Sequence, residues 1–423
     1  MSFGRFLFVV VLLVTLVAPL ARSQNGPQTS FAVSDVRLFD GERRQERRTV
    51  IVADGVIERV GGPNLAAGGL PIVDGRGRTL LPGFIDSHVH LPAFGTDSAL
   101  SQNTRFGVTT VIDMFSAGIT LETIRDFKDQ DNPQHASIVM SGTGATATGG
   151  HPSQMGNVDF ATIDEPQGAQ EFVNARIAEG SEFLKVIYDD LAARQAVPML
   201  DRETLAALVE AAHSHGLLAV AHISTEAQVR DVIEAGVDGL AHLFNTDQIS
   251  ADFGALAARH GIFVIPTLSV VHLICGRSDG PGLVADERIA PYIATRWREN
   301  AGYSFEGGLS CDAIGPMIQQ LVDSGVPILA GTDSPTPGTA YGASVHTEIA
   351  DMVEHGMSPL EALVAATSAP ARAFNLNDRG LIQAGMRADL LLVEGDPTQT
   401  ITDTRNIVAV WKRGVAIERH QFE

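Results

Sequence analysis

His88 and His90 stand one residue apart, just after the apolar run Gly83-Phe84-Ile85-Asp86. Side chains two apart on a strand share a face, so both imidazoles can meet one metal ion. His213 and His215 have the same spacing but fall in a stretch with helical periodicity. On a helix two such residues diverge by roughly 200° around the axis, so this pair marks a helix end. His222 closes the run that begins at Leu217, and His242 closes the one that begins at Gly239. Asp333 follows Val326–Ala330 in Gly331-Thr332-Asp333. Imidazole and carboxylate are the ligands that zinc and similar divalent ions accept. Lys185 lies inside the apolar run Phe183–Tyr188, where a free ammonium is costly. It can snorkel to the strand end, pair with Asp189 or Asp190, or become an anionic carbamate by adding carbon dioxide.

These residues need a frame that brings them to one place. From Leu81 onward, short apolar runs alternate with helical patterns. The runs are Gly83–Asp86, Val108–Ile112, Ser137–Met140, Phe183–Tyr188, Leu217–His222, Gly239–His242, Ile262–Ile265 and Val326–Ala330. Helical stretches such as Asp201–His215 and Glu226–Ala235 separate most of them, and glycines such as Gly180 and Gly216 close the helices. Buried strands alternating with helices predict an α/β fold, a (β/α)8 TIM barrel. Functional groups of such barrels gather at the C-terminal strand ends, where His88, His90, His222, His242 and Asp333 all fall.

The flanks read differently. Ser34–Pro82 is a series of short strands, with a hairpin over Thr49–Val60 around Asp54-Gly55 and a further strand pair about Asp74-Gly75-Arg76-Gly77. Ala388–Pro397 and Ile407–Gly414 are strand-like again. The predicted organisation is a small β-sandwich built from residues 24–80 and 379–423, around a metal-binding barrel of residues 81–378. Ser269–Cys311 is long for a βα connection and rich in Gly, which suggests a lid or binding loop.

Composition bounds the rest. The chain has 423 residues and a net charge of −20, with 30 basic against 50 acidic side chains. That excess of acid argues against nucleic acid and against anionic membrane surfaces as partners. Arg5, the apolar stretch Leu7–Leu20 and Ala21-Arg22-Ser23 form the pattern of a cleaved signal peptide over residues 1–23. The expected product is secreted or periplasmic and free of the membrane. Cys275 and Cys311 could then pair in an oxidising compartment or remain two buried thiols.

The segment Leu81–His90, with Lys185, His222, His242 and Gly331–Ser334, resembles the amidohydrolase superfamily of metal-dependent hydrolases. Thr367–Ala371 and Gly385–Leu390 resemble it too. The resemblance spans roughly residues 30 to 415 and is closest to the imidazolonepropionase-like and Xaa-Pro or Xaa-Arg dipeptidase-like branch. It implies two divalent metal ions, most often zinc. His88, His90 and Asp333 would bind one, His222 and His242 the other, and carboxylated Lys185 would bridge them. It further implies that the two metals share and activate one water. Asp333 would carry its proton to the leaving nitrogen. His151, after Thr148-Gly149-Gly150, matches a family histidine that faces substrate, although Pro152 stands where the family commonly has Gly.

Tyr188 is a candidate for holding a substrate carboxylate or oxyanion, and His272 for a lid. Asp189 and Asp190 could favour a cationic substrate or form a solvated loop. His135, His260, His355 and His420 read as solvated. The implied reaction is hydrolysis of an amide in a small molecule, a dipeptide or N-acyl amino acid. The alternatives are an imidazolonepropionase-type cyclic amide, or a lactone or ester on the same metals. Relatives are often homo-oligomers.

Overall fold

The structure is a computed structural model that describes residues 1, 28–156, 159–192, 196–304 and 307–422. Apart from Met1, the expected signal segment lies outside the described residues.

Strands from both ends of the chain join in one sheet. They are β1 (Phe31–Phe39), β2 (Arg44–Ala53), β3 (Val56–Gly61), β4 (Ile72–Asp74) and β5 (Arg78–Pro82) from the N-terminal side. The Asp54-Gly55 turn closes the expected hairpin between β2 and β3. The strands about Asp74–Gly77 do not pair with each other. β4 and β5 each run parallel to β1 instead. The peptide after Asp74 carries the chain from one partner of β1 to another, not back along itself.

Seven parallel strands follow. They are β6 (Phe84–Val89), β7 (Val108–Asp113), β8 (Ser137–Met140), β9 (Leu184–Ile187), β10 (Ala219–His222), β11 (Gly239–Ala241) and β12 (Phe263–Ile265). They form a three-stranded sheet, β6-β7-β8, and a four-stranded sheet, β12-β11-β10-β9. The expected eighth strand, Val326–Ala330, is reduced to a single bridge from Ile328 to Val264. Pro327 lacks an N–H, and the segment has little room to extend a ladder. Bridges Ala145–Val186 and Val89–Ser334 link the sheets elsewhere.

β13 (Leu390–Glu394), β14 (Ile407–Lys412) and β15 (Val415–Ala416) return to the first sheet. Its order is β15-β14-β13-β5-β1-β2-β3, with β4 beside β1. Leu81 and Pro82, expected to open the metal-binding part, thus belong to β5 of this sheet.

The apolar runs follow from burial on two faces. Leu390 and Leu392 enter a cluster with Phe31, Leu38 and Trp411. Leu391 and Val393 between them join the large core shared with the parallel strands and their helices. The parallel strands divide in the same way. Phe183, Val220 and Ile265 meet in an inner cluster with Ile85, Ile112, Val139, Ala241 and Leu329. Their neighbours Leu184, Val186, Ala219 and Ala221 pack outward. Ala369, Ala371 and Phe374 are also part of the inner cluster.

Helices flank the parallel strands at the expected positions. Arg202–Ser214 starts at Asp201, whose side chain accepts the Thr204 N–H at 2.7 Å. Glu226–Glu234 starts with a capping box of Thr225 and Gln228. His213 and His215 diverge at a helix end, as expected, toward Asp238 and Gln170.

Ser269–Cys311 is not an open loop. It contains the helices Leu268–Ile274, Gly280–Ala285 and Thr295–Ala301, and buries Leu283, Ile289, Ile293 and Trp297. Cys275 and Cys311 are joined by a disulfide, their Cα atoms 5.8 Å apart. His272 is buried here, and the lid role expected of it fails. Its Nδ1 lies 3.0 Å from Asp279 and its Nε2 2.9 Å from His355. His355 is therefore partnered, and His135 is buried against Asp97. Neither is the solvated residue the sequence suggested, whereas His260 and His420 are exposed.

Candidate metal centre

The strand ends bring six of the expected residues together. Nε2 of His88 and of His90 lie 3.2 Å apart. Both approach Oδ1 of Asp333, at 3.3 and 3.0 Å. Among the described residues that oxygen has no hydrogen-bond partner. Short approaches of two imidazoles to a carboxylate oxygen without hydrogen-bond alignment are what ligands arranged about a common point produce. The His88 and His242 rings are 4.7 Å apart, and those of His222 and His242 4.5 Å. His88, His242 and Asp333 offer ligand atoms all within 4.8 Å of one another. Lys185 shares the cavity with them. Its Nζ is buried and has no hydrogen-bond partner among the described residues.

The electrostatics match that crowding. Burial pulls His88 down to about 3 and Lys185 down to about 7. It also holds His242 well below the usual histidine range. Burial alone would raise Asp333, but the adjacent His88 and His90 outweigh it and hold the carboxyl well below its ordinary value. Imidazoles held toward neutrality at His88 and His242 and an ionised Asp333 suit ligation, whereas Asp333 outweighs burial at His90 and raises it.

Backbone strain sharpens the site. His242 and Asp333 have φ of 76° and 55°, a region that side chains other than Gly seldom occupy. At His242 this breaks the alternation of β11 and turns the ring inward. Its Nδ1 is held by Thr267 Oγ1 at 2.7 Å, which leaves Nε2 for a metal. His222 is held by Asp189 through Nε2 at 3.2 Å, which leaves Nδ1. Metal-binding histidines are commonly oriented through the second nitrogen in this way.

Asp189 is thus neither solvated nor a substrate anchor. It is buried and also takes the Ser224 hydroxyl at 2.6 Å. Asp190 instead accepts the Ala192 N–H and the Gln228 amide.

Two carboxylates escaped the sequence reading. Asp86 accepts the His88 N–H together with the N–H and hydroxyl of Thr332, and so ties β6 to the strand end that carries Asp333. Burial lifts it to about 7. Asp113 accepts the Leu91 N–H at 2.7 Å and the Ser116 hydroxyl, which fixes the chain just past His90. The available signal was the one that exposed Lys185, a charged residue within or closing an apolar run.

A cavity of about 500 Å³ opens on the centre. His151 lines it, 5.1 Å from the His222 ring, with Nδ1 held by Gln154 at 2.7 Å. Burial and then the nearby His222 pull His151 down to about 3. Tyr188 is not in the cavity, and the substrate role expected of it is corrected. It lies three residues from Lys185 and therefore on the opposite face of the strand. There its hydroxyl donates to Asp231 at 3.0 Å and its ring packs in the outer core with Leu184 and Val186.

Known proteins resemble this chain in sequence and fold. Residues 79–417 match the model of the amidohydrolase family. An imidazolonepropionase of Deinococcus radiodurans is 27% identical, covering 93% of this chain and 95% of that protein. The structure of a Xaa-Pro dipeptidase with bound methionine in its active site superposes with a TM-score of 0.74. The two are 22% identical, and the match covers 92% of this chain and 100% of that one. Molinate hydrolase superposes with a TM-score of 0.72 at 20% identity, over 93% and 95% of the two chains. At these identities the structural likeness is one of fold. The family match extends across both parallel sheets and every residue of the centre, so this chain belongs to the amidohydrolase family and is a hydrolase of carbon–nitrogen bonds.

Proposed function

We propose that this chain is a binuclear metal-dependent hydrolase that cleaves an amide bond in a small molecule. Dipeptides and N-acyl amino acids are the classes the family resemblance suggests. The observation that carries the reading is the buried amine of Lys185, without a hydrogen-bond partner among the described residues, in one cavity with His90, His222, His242 and Asp333. Such an amine is costly as it stands. Addition to carbon dioxide forms an N–C bond, releases one proton and leaves an anion able to bridge two cations. His88, His90 and Asp333 would hold one ion, and His222 and His242 the other. The donor set of imidazole and carboxylate suits zinc. When bound, the ions would supply Lewis acidity and a lowered pKa for the attacking water.

The protein's own groups do the rest. Asp333 lines the cavity and stands within 3.3 Å of His88 and His90, where it can accept a proton and deliver it to the leaving nitrogen. His151, fixed by Gln154 through Nδ1, has Nε2 left to orient a substrate oxygen. Thr267 and Asp189 keep the two ligand rings from turning.

The proposed frame is a (β/α)8 barrel of residues 81–378. The two parallel sheets would be its arcs, and residues 24–80 and 379–423 the attached β domain. Support comes from the inner cluster, which draws on all seven parallel strand regions and on Leu329. We also infer export. The apolar run Leu7–Leu20 and the Cys275–Cys311 disulfide both favour an oxidising compartment.

The test is turnover of a small-amide panel by zinc-loaded enzyme starting at Gln24, in bicarbonate. Free amine should be released by the wild type. Asp333→Asn should lose roughly 10²- to 10⁴-fold in kcat, the scale of a proton-transfer group. Full release by Asp333→Asn, or cleavage of lactones and esters alone, would refute the reading.

A further inference from the structure

Resting on the amide-hydrolase reading, we propose that the substrate carries an uncharged aromatic group seated against Phe115 and Phe160. The cavity lining combines two unlike groups, the ligand cluster with His151 and the apolar side chains of Phe115, Phe160, Met155, Leu91, Ile187 and Pro152.

Phe115 and Phe160 meet edge to face, with centroids 5.3 Å apart and planes at 82°. A ring laid beside them meets the geometry that aromatic groups prefer. Neither ring is fully covered by protein. The place of Phe115 is built into the backbone. A Cβ on Gly144 would come within 2.9 Å of that ring, so glycine there makes room for it.

Met155, on the segment that follows β8, lines the same cavity and is 77% exposed.

Charge points the same way. Among the described residues that line the cavity, Lys185 is the one Lys or Arg, and it belongs to the ligand cluster. Away from that cluster a substrate carboxylate would find no Lys or Arg on the wall. A neutral aryl group instead buries apolar area at no electrostatic cost.

The experiment compares benzoyl and acetyl p-nitroanilides, the corresponding p-nitrophenyl esters, and the free dipeptide Ala-Pro. Calorimetric binding of benzamide against acetamide is measured on the same zinc-loaded protein. The benzoyl amide should exceed both the acetyl amide and the dipeptide in kcat/KM by at least about tenfold, the scale of one buried ring. Phe160→Ala should shrink the benzoyl-to-acetyl ratio by a similar factor, chiefly through KM, and weaken benzamide. Preference for the free dipeptide, or a ratio unmoved in Phe160→Ala, would overturn the proposal. Cleavage of esters alone would refute the amide reading, and the benzoyl-to-acetyl ratio on those esters would still decide this one. If nothing is cleaved, equal affinity for benzamide and acetamide overturns it and tighter benzamide binding supports it.

Discussion

Asp189 does not line the cavity, yet it holds one nitrogen of His222 and so sets which nitrogen would be left for a metal. Asp189→Asn is expected to cost roughly 10- to 100-fold in metal affinity, the usual loss when such an orienting group is removed. One of the two ions should leave at a lower chelator concentration than the other, as read by metal analysis after dialysis. Wild-type retention of both ions would show that the carboxylate is only structural.

The residues that gather at the candidate centre were legible because their signal is local. A His-x-His pair after a strand, a histidine or aspartate closing a strand, and a lysine inside an apolar run can each be read from a few residues. Tyr188 misled because its distance from Lys185 was weighed without its parity along the strand. Asp189, Thr267 and Asp86 act through partners distant in sequence or through the turned backbone at His242, which composition and spacing do not reveal.

At the scale of elements, the helices Leu268–Ile274 and Val345–Glu354 are fastened by charge. His272 approaches Asp279 at 3.0 Å and Asp351 at 3.6 Å, and Arg277 bonds both of those carboxylates and Glu354. Burial works against the charged imidazole, but Asp279 and Asp351 outweigh it and raise His272 to about 9. Its folded value therefore lies above the unfolded value of about 6.5. The stability it contributes is fully present below pH ~6.5 and is lost as pH rises through about 9. Denaturant unfolding of the wild type should show that decline between those limits, and His272→Gln should flatten it. An equal decline in His272→Gln would assign the effect elsewhere. The sequence marked Ser269–Cys311 as anomalous by its length and glycine content. It could not show that short helices and a buried Trp297 make the segment part of the core, because their apolar partners lie elsewhere in the chain. The last parallel run was apolar enough to read as a strand, but Pro327 and the short length left it one bridge.

For the whole molecule, strands from both flanks meet in one sheet, of which β13 is buried on two sides. The alternation of Leu390 and Leu392 against Leu391 and Val393 shows β13 serving both cores at once. The strand patterns at the two flanks predicted a sandwich, whereas the described strands join in one eight-stranded sheet. Which strands pair, and that β4 and β5 both lie parallel to β1, depends on contacts the local pattern does not encode. The disulfide closes a sequence separation of 36 residues around the Ser269–Cys311 helices. Cys275→Ser is expected to lower unfolding free energy by about 3 kcal/mol. An unchanged denaturation midpoint in oxidising buffer would contradict a stabilising bond.

The central claim is that Lys185 joins two metal ions in one site. Its most direct test is the metal content of purified, zinc-loaded protein in bicarbonate, wild type beside Lys185→Ala. The account requires two ions per chain in the wild type. In Lys185→Ala it requires one or none, with turnover abolished and partly restored by a short carboxylic acid that fills the vacated space. Two ions retained with wild-type turnover in Lys185→Ala, or one ion in the fully active wild type, would contradict it.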